Sequence, residues 1–537
     1  MKAKRINTEL ASVAIVLTGM ILGAVCSYYN HSAAAVLIIF TALIGYIIVW
    51  VSTQNLFNFL GLAYLGFVFP LGLANFRLSS YQNDWEIVTW VCYIGAVACY
   101  AAGYLLSFRI QKIAAVRDKM DSLVPKESLE KGMFPFAIFV FLLLLSAFLI
   151  KWWVAGSLPF FHSGWGGDTY IRFMSGEGYL DALGEKMASM PVLFSLIRIY
   201  HRISTIFMFQ GWMISCLLYG FMQTGRAKSW HKVVSWLVIA VCTVVPILIV
   251  IREIYLMHMI AFAVYLYVAN TNKKKKYFLV VLMAVLTVVG YAYSSSHRGY
   301  NNEQLTEIFE MPVDPKPGDS KDPKPGDSKD PEPGDSKDPE PGDSKDPEPG
   351  DSKDPVDTEN PAAETTYPGL VIWVYTYLTC GYDNFNYLTK SLDIQTYGLM
   401  ELRPIFSALQ IEGLKDIDMV IQAPKYRVSP NVTTYTFINE AYMDFRLPGV
   451  LTAMFVWGLV FGMIAVFASS KNSVLMPIVY AGIGHHIIFM FFVAWMGHFS
   501  YLCSFGLLLL YYLWILLREK RHGRSTRNLH CDGVPEI

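Results

Sequence analysis

Uncharged apolar runs of about 18–23 residues recur along this chain, and no other feature limits its folding as strongly. Each run, coiled as a helix rising about 1.5 Å per residue, is long enough to cross roughly 30 Å of hydrocarbon. Only 16% of the residues are charged while 54% are hydrophobic, against about a quarter charged in a soluble average. These runs predict an all-α polytopic membrane protein with about twelve spans, near 10–28, 33–51, 56–76, 86–108, 134–154, 204–222, 233–251, 254–270, 277–294, 448–468, 474–495 and 499–517. Lys2, Lys4 and Arg5 precede the first run as they would in a secretory leader. The run exceeds a typical leader core and no small-residue cleavage site closes it, so an uncleaved first span is expected.

The basic residues test that count, because cytoplasmic loops should hold the excess of lysine and arginine. Alternating the loops puts twenty-two of them on one side, including the Lys273–Lys276 run and the tail after residue 517, and about seven in the short loops of the other. One span more or fewer in the middle would put that run and that tail on opposite sides. Both termini are thereby expected in the cytoplasm. Residues 1–294 then carry spans one to nine, 295–447 form a large outer loop, 448–517 carry spans ten to twelve, and 518–537 are a cytoplasmic tail. The formal net charge is zero and no basic block is interleaved with aromatics, so the chain lacks the electrostatic footprint of a nucleic-acid binder. Six of its eight cysteines lie in or beside apolar runs and only Cys380 falls in the long loop. No disulfide framework or metal quartet can be read from that pattern.

The outer loop contains a repeat of period eight. From Asp314 it reads DPKPGDSK twice and DPEPGDSK three times, ending at Lys353. Alternate prolines remove backbone donors and favour extended polyproline II, and no apolar residue is present to build a core. Residues 314–356 are therefore expected to be a solvated, disordered spacer. The ordered part of the loop should be 367–447. Its first stretch, 367–389, is rich in aromatics but broken by Gly381, Asp383 and Asn384. An interfacial or re-entrant helix suits it better than a span.

Ionisable residues in or beside spans are costly and mark candidate sites. Arg198 and Arg202 stand four apart before the sixth span, and on a helix would share a face; headgroup snorkelling is the alternative. Arg252 occupies a tight hairpin between two spans, and Arg298 follows the ninth span directly. His485 and His486 are adjacent, about 100° apart on a helix, which suits packing better than a shared metal. The richest stretch is NVTTYTFINEAYMDFRLPG, Asn431 to Gly449, in which Glu440 and Asp444 are four apart and share a helical face. Two carboxylates so placed can supply a general base and its orienting partner, or simply acidic residues near a helix start.

This stretch resembles the signature of bacterial O-antigen and capsule polymerases, the oligosaccharide repeat-unit (Wzy-type) family. There an N-x-T segment leads to aromatic-x-D-[FY]-G-x-x-G and a glycine-rich span. Asn431, Thr433, Tyr435, Tyr442, Asp444, Phe445 and Gly449 match, followed by Gly458 and Gly462; Arg446 replaces the first glycine. Arg252 falls where such proteins carry a serine-arginine turn, with Ile251 in place of the small residue. The number of spans, the cytoplasmic ends and the late outer loop resemble the family as well.

The resemblance implies a bundle like the GT-C membrane glycosyltransferases and a polymerase joining undecaprenyl-pyrophosphate-linked oligosaccharides on the outer face of the cytoplasmic membrane, with no cofactor and no metal. Flippase and chain-length regulator proteins would be its partners besides membrane lipid. A lipid pyrophosphate leaving group is best met by arginine forks; Arg252 first, then Arg198, Arg202, Arg403 and Arg427, would bind it. Glu440 or Asp444 would assist deprotonation of the attacking hydroxyl. Asn431, Thr433, Tyr435 and Tyr442 would contact the glycan. The competing readings are an O-antigen ligase, which transfers to lipid A core, and a lipid-oligosaccharide flippase, which would carry its polar groups near the midplane and show repeated halves.

Overall fold

The computed structural model describes residues 2–79, 82–155, 206–249, 251–296, 369–409, 423–428, 434–470, 473–492 and 497–531, with scattered positions between 184 and 200 and between 411 and 420. The regular elements among them are helices: α1 (Lys2–Ser27), α2 (His31–Thr53), α3 (Phe59–Ala74), α4 (Ile87–Arg109), α5 (Gln111–Leu123), α6 (Lys126–Ala155), α7 (Gly211–Met222), α8 (Ser229–Leu248), α9 (Arg252–Ala269), α10 (Lys273–Ser296), α11 (Gly369–Ser391), α12 (Arg403–Leu409), α13 (Asn439–Ala468), α14 (Met476–Ile488) and α15 (Phe499–Cys531).

Nine of these helices are long and apolar enough to cross a membrane, which makes the chain a multi-pass membrane protein. The other three expected spans, 56–76, 204–222 and 474–495, coincide with the shorter apolar helices α3, α7 and α14. Local chemistry shortens α3. The side chain of Asn58 caps it by accepting from the amides of Leu60 and Gly61, and a π-helical turn interrupts it at Tyr64–Val68. That turn sets Gly66 against the carbonyls of Ile487 and Ile488 at the end of α14, where a β-carbon would collide with backbone.

The tightest crossing joins α4 to α13. A methyl group on Gly458 would run into the carbonyl of Tyr100, and one on Gly103 into that of Phe455. Small residues at such a seam let two backbones approach, and dispersion contacts then replace the hydrophobic drive that lipid removes. The glycines of this span thus serve packing. Helix α9 lies at the centre, with 72% of its apolar window buried, whereas α10 is peripheral with 11% buried. His485 and His486 are packed inside: His486 lies edge-on to Phe437 and Phe461, and His485 lies 4.9 Å from Phe489.

Helix α11 covers the stretch expected to be an interfacial or re-entrant helix, 367–389. It is a continuous 23-residue helix packed against α3 and α4. Its polar residues point inward because the α3–α4 connection offers them partners. Asp383 accepts from Gln82 Nε2 at 2.9 Å and Trp85 Nε1 at 3.0 Å. Asn386 Oδ1 accepts from the Glu86 amide and from Thr89 Oγ1, each at 3.0 Å. Tyr382, fully buried, donates to the Phe67 carbonyl at 2.6 Å. Buried polar groups so satisfied no longer demand water. The octad repeat, Arg298 and the rest of 297–368 lie outside the described residues.

Candidate functional site

Helix α11 is also the strip around which charged groups from distant parts of the sequence gather. The hairpin between α8 and α9 closes when the Ile251 amide reaches back to the Pro246 carbonyl at 3.0 Å. Arg252 then begins α9, buried, with its guanidinium 5.6 Å from the Tyr291 ring and 5.8 Å from the Tyr377 ring of α11. Two aromatic faces attract the cation, and its Nη2 donates to the Tyr377 hydroxyl at 3.4 Å. One turn further along α11, the Gly381 backbone packs against the Phe491 carbonyl and the Tyr435–Thr436 peptide. Asn384 fixes two more strands of chain: its Nδ2 donates to the Thr434 carbonyl at 2.6 Å and its Oδ1 accepts from the Val428 amide at 3.0 Å. Arg427 and Tyr435 are thereby brought to one place. The Nε of Arg427 is buried and has no hydrogen-bond acceptor among the described residues.

Glu440, in the first turn of α13, accepts from Arg403 Nη2 at 2.6 Å, and both side chains are buried. The same nitrogen lies 3.5 Å from the Gly497 carbonyl. A β-carbon on Gly497 would overlap the guanidinium and the carboxylate together, so a larger residue there would have to displace the ends of both side chains. The next residue, His498, is held down to about 4 by burial and then by the Arg403 charge, and stays neutral at physiological pH. Tyr435 lies within the fields of Arg403, Glu440 and Arg427, and burial raises its phenol above the ordinary range.

Asp444 has a different place. It is fully buried, and it accepts from Thr396 Oγ1 at 2.6 Å, the Met400 amide at 3.1 Å and the Glu401 amide at 3.0 Å. A carboxylate so enclosed braces the 396–401 turn. The two do act from one helical turn to the next, as their spacing requires: Asp444 holds the turn and Glu440 holds Arg403, which opens α12.

Just beyond Asp444 the backbone breaks. Phe445 leaves helical geometry and Arg446 adopts φ 57°, ψ −145°, a region that glycine enters freely and other residues only under strain. Its side chain compensates by donating to the Leu392 and Ile394 carbonyls, both at 3.1 Å. Gly449 fits into the inside of the bend, where a β-carbon would strike the Ala441 carbonyl.

Tyr442, expected to contact the glycan, is buried against Phe385 at 5.3 Å. Arg198, Arg202, Asn431 and Thr433 lie outside the described residues. Of the expected residues, Arg403, Arg427, Tyr435 and Glu440 come together, and Arg252 joins them through α11. Sequence reasoning missed His498 and Gly497, which follow the eleventh span in an unremarkable Met-Gly-His, and Asp383, which it took only as a helix interruption. Comparison with family models, with curated proteins and with solved structures returns no match.

Proposed function

We propose that this chain is a polymerase that joins undecaprenyl-pyrophosphate-linked oligosaccharide repeat units on the outer face of the bacterial cytoplasmic membrane. In this reading it has twelve spans, the three shorter helices included, with both termini in the cytoplasm. The observation that carries the reading is the gathering of Arg252, Arg403 and Arg427 around α11 and Tyr435, at one end of a membrane bundle. Such an end suits a ligand with an apolar tail and a multiply charged headgroup, because fixed guanidinium forks meet phosphate oxygens without reorganising. The bend at residues 445–449 lends further support. The two positions where the resembled motif has glycine, 446 and 449, are those where the backbone favours it.

The reaction then divides among these residues. The acceptor hydroxyl oxygen attacks the donor's anomeric carbon as the bond from that carbon to the pyrophosphate oxygen breaks. The leaving pyrophosphate takes the electron pair and is stabilised by Arg252, Arg403 and Arg427. Glu440, which holds Arg403 in place, receives the hydroxyl proton. Asp444 is a positioning residue acting through the 396–401 turn.

Arg427→Ala is the cleanest test, since this side chain is only half-buried and no ion-pair partner of it stands among the described residues. The variant should stay in the membrane at normal level yet yield about a hundredfold less polymer, the scale for losing one preorganised donor. Single lipid-linked repeat units should accumulate instead. Ladders of normal length would refute the assignment, and glycan found on lipid A core would favour the ligase reading.

A further inference from the structure

The turn that Asp444 braces holds two unusual stretches of backbone against each other. Tyr397 adopts φ 50° and Gly398 φ 94°, and facing them Phe445 and Arg446 leave helical geometry. A left-handed tyrosine carries a strain that glycine would not. The two stretches meet directly. A β-carbon on Gly398 would stand 3.8 Å from the Phe445 ring, and the Thr396 amide donates to the Met443 carbonyl at 3.1 Å. The turn ends on Glu401, whose own amide donates to Asp444.

The side chains held in this way are not packing groups. Tyr397 is 72% exposed, Phe445 is 46% exposed, and Glu401 is exposed with them. Asp393 and Gln395 are exposed on the same segment, which therefore faces water. Directly afterwards Leu402, Ile405 and Leu409 are exposed, an apolar face suited to lipid. The turn thus stands at the border between water and lipid, two residues before Arg403.

We propose that Tyr397, Phe445 and Glu401 form a subsite for a sugar ring of the lipid-linked oligosaccharide. A pyranose has a face of C–H groups that packs on an aromatic ring. Its edge carries hydroxyls that donate to a carboxylate in charge-assisted hydrogen bonds. An acyl chain would also suit the rings but would leave the Glu401 carboxylate against hydrocarbon, so the grouping favours sugar over lipid. Chain continuity makes the subsite adjoin Arg403, which the proposed reaction assigns to the pyrophosphate. Asp444 then positions the groups that hold the sugar. The inference rests on the polymerase reading for the identity of its ligand.

The test uses the full chain purified in detergent. The probe is the repeat-unit oligosaccharide released by mild acid from the lipid-linked pool of its own cells, free of both lipid and phosphate. In titration calorimetry wild type should bind it, and Tyr397→Ala and Glu401→Ala should each weaken binding about tenfold. Tyr397→Trp keeps an aromatic face and should keep the affinity. Tyr397→Gly should lose affinity yet melt no lower than wild type, because φ 50° suits glycine, which separates binding from folding. Wild type that binds no free oligosaccharide, or alanine variants that bind it as tightly, would overturn the subsite. The membrane alternative has its own readout, the emission that Tyr397→Trp adds to wild type in liposomes. Quenching of it by brominated lipid and not by iodide would put residue 397 among acyl chains and overturn the proposal. Failure of the polymerase reading shows separately, as wild type that leaves lipid-linked repeat units unextended.

Discussion

At the scale of single residues, the candidate site is a set of charges whose cost is offset by close partners. The Arg403–Glu440 pair is buried on both sides, so removing one member leaves the other uncompensated. Arg403→Ala should lower stability by about 3–5 kcal/mol, and Arg403→Met with Glu440→Leu should recover most of that; thermal melting of the three proteins decides it. Arg446 offers a separate test. Arg446→Ala keeps the strained backbone and loses the two carbonyl contacts, whereas Arg446→Gly relieves the strain, so the glycine variant should be the more stable by about 1–3 kcal/mol. The reverse order would contradict the φ assigned to this position.

His498 adds a pH dependence with a definite sign. Its pKa in the fold, about 4, lies below the ordinary 6.5, so between those values the unfolded chain binds more protons. Stability from this group is therefore complete above 6.5 and lost as pH falls toward 4. His498→Gln should flatten the melting temperature across that window. An unchanged slope would mean that the imidazole titrates freely.

Among the elements, the seam between α4 and α13 decides the bundle's centre. Gly458 faces a backbone carbonyl that cannot rotate away, so Gly458→Ala should cost about 1–3 kcal/mol, as overpacking does, and Gly458→Leu more. The same substitutions at Gly225, around which space is open, should leave melting within about 0.5 kcal/mol of wild type. Hydropathy alone places nearly every long helix, because the length and polarity of a span are properties of one segment. It does not show why α11 buries its polar residues, for a physical reason. The partners of Asp383 and Asn386 lie about 300 residues earlier, in the α3–α4 connection, and no local window contains them.

At the scale of the whole molecule, the chemistry and the spacer should be separable. Deletion of residues 314–353 should leave polymer length on lipid-linked repeat units unchanged, measured as ladder spacing and extent; a loss of polymer would assign the octads a part in the reaction. The sequence by itself determined that this chain builds a bundle of apolar helices in a membrane, since composition and run length are sums over neighbouring residues. Charge beside an apolar run also singled out Arg252, the four-residue spacing to Asp444 singled out Glu440, and the family resemblance added Arg403 and Arg427. Only the tertiary structure decided which carboxylate holds an arginine and which braces a turn. Glu440 and Asp444 are equivalent in type and spacing. They differ solely in the segments that fold against them, and a hydrogen bond is set by the group that arrives, not by distance along the chain.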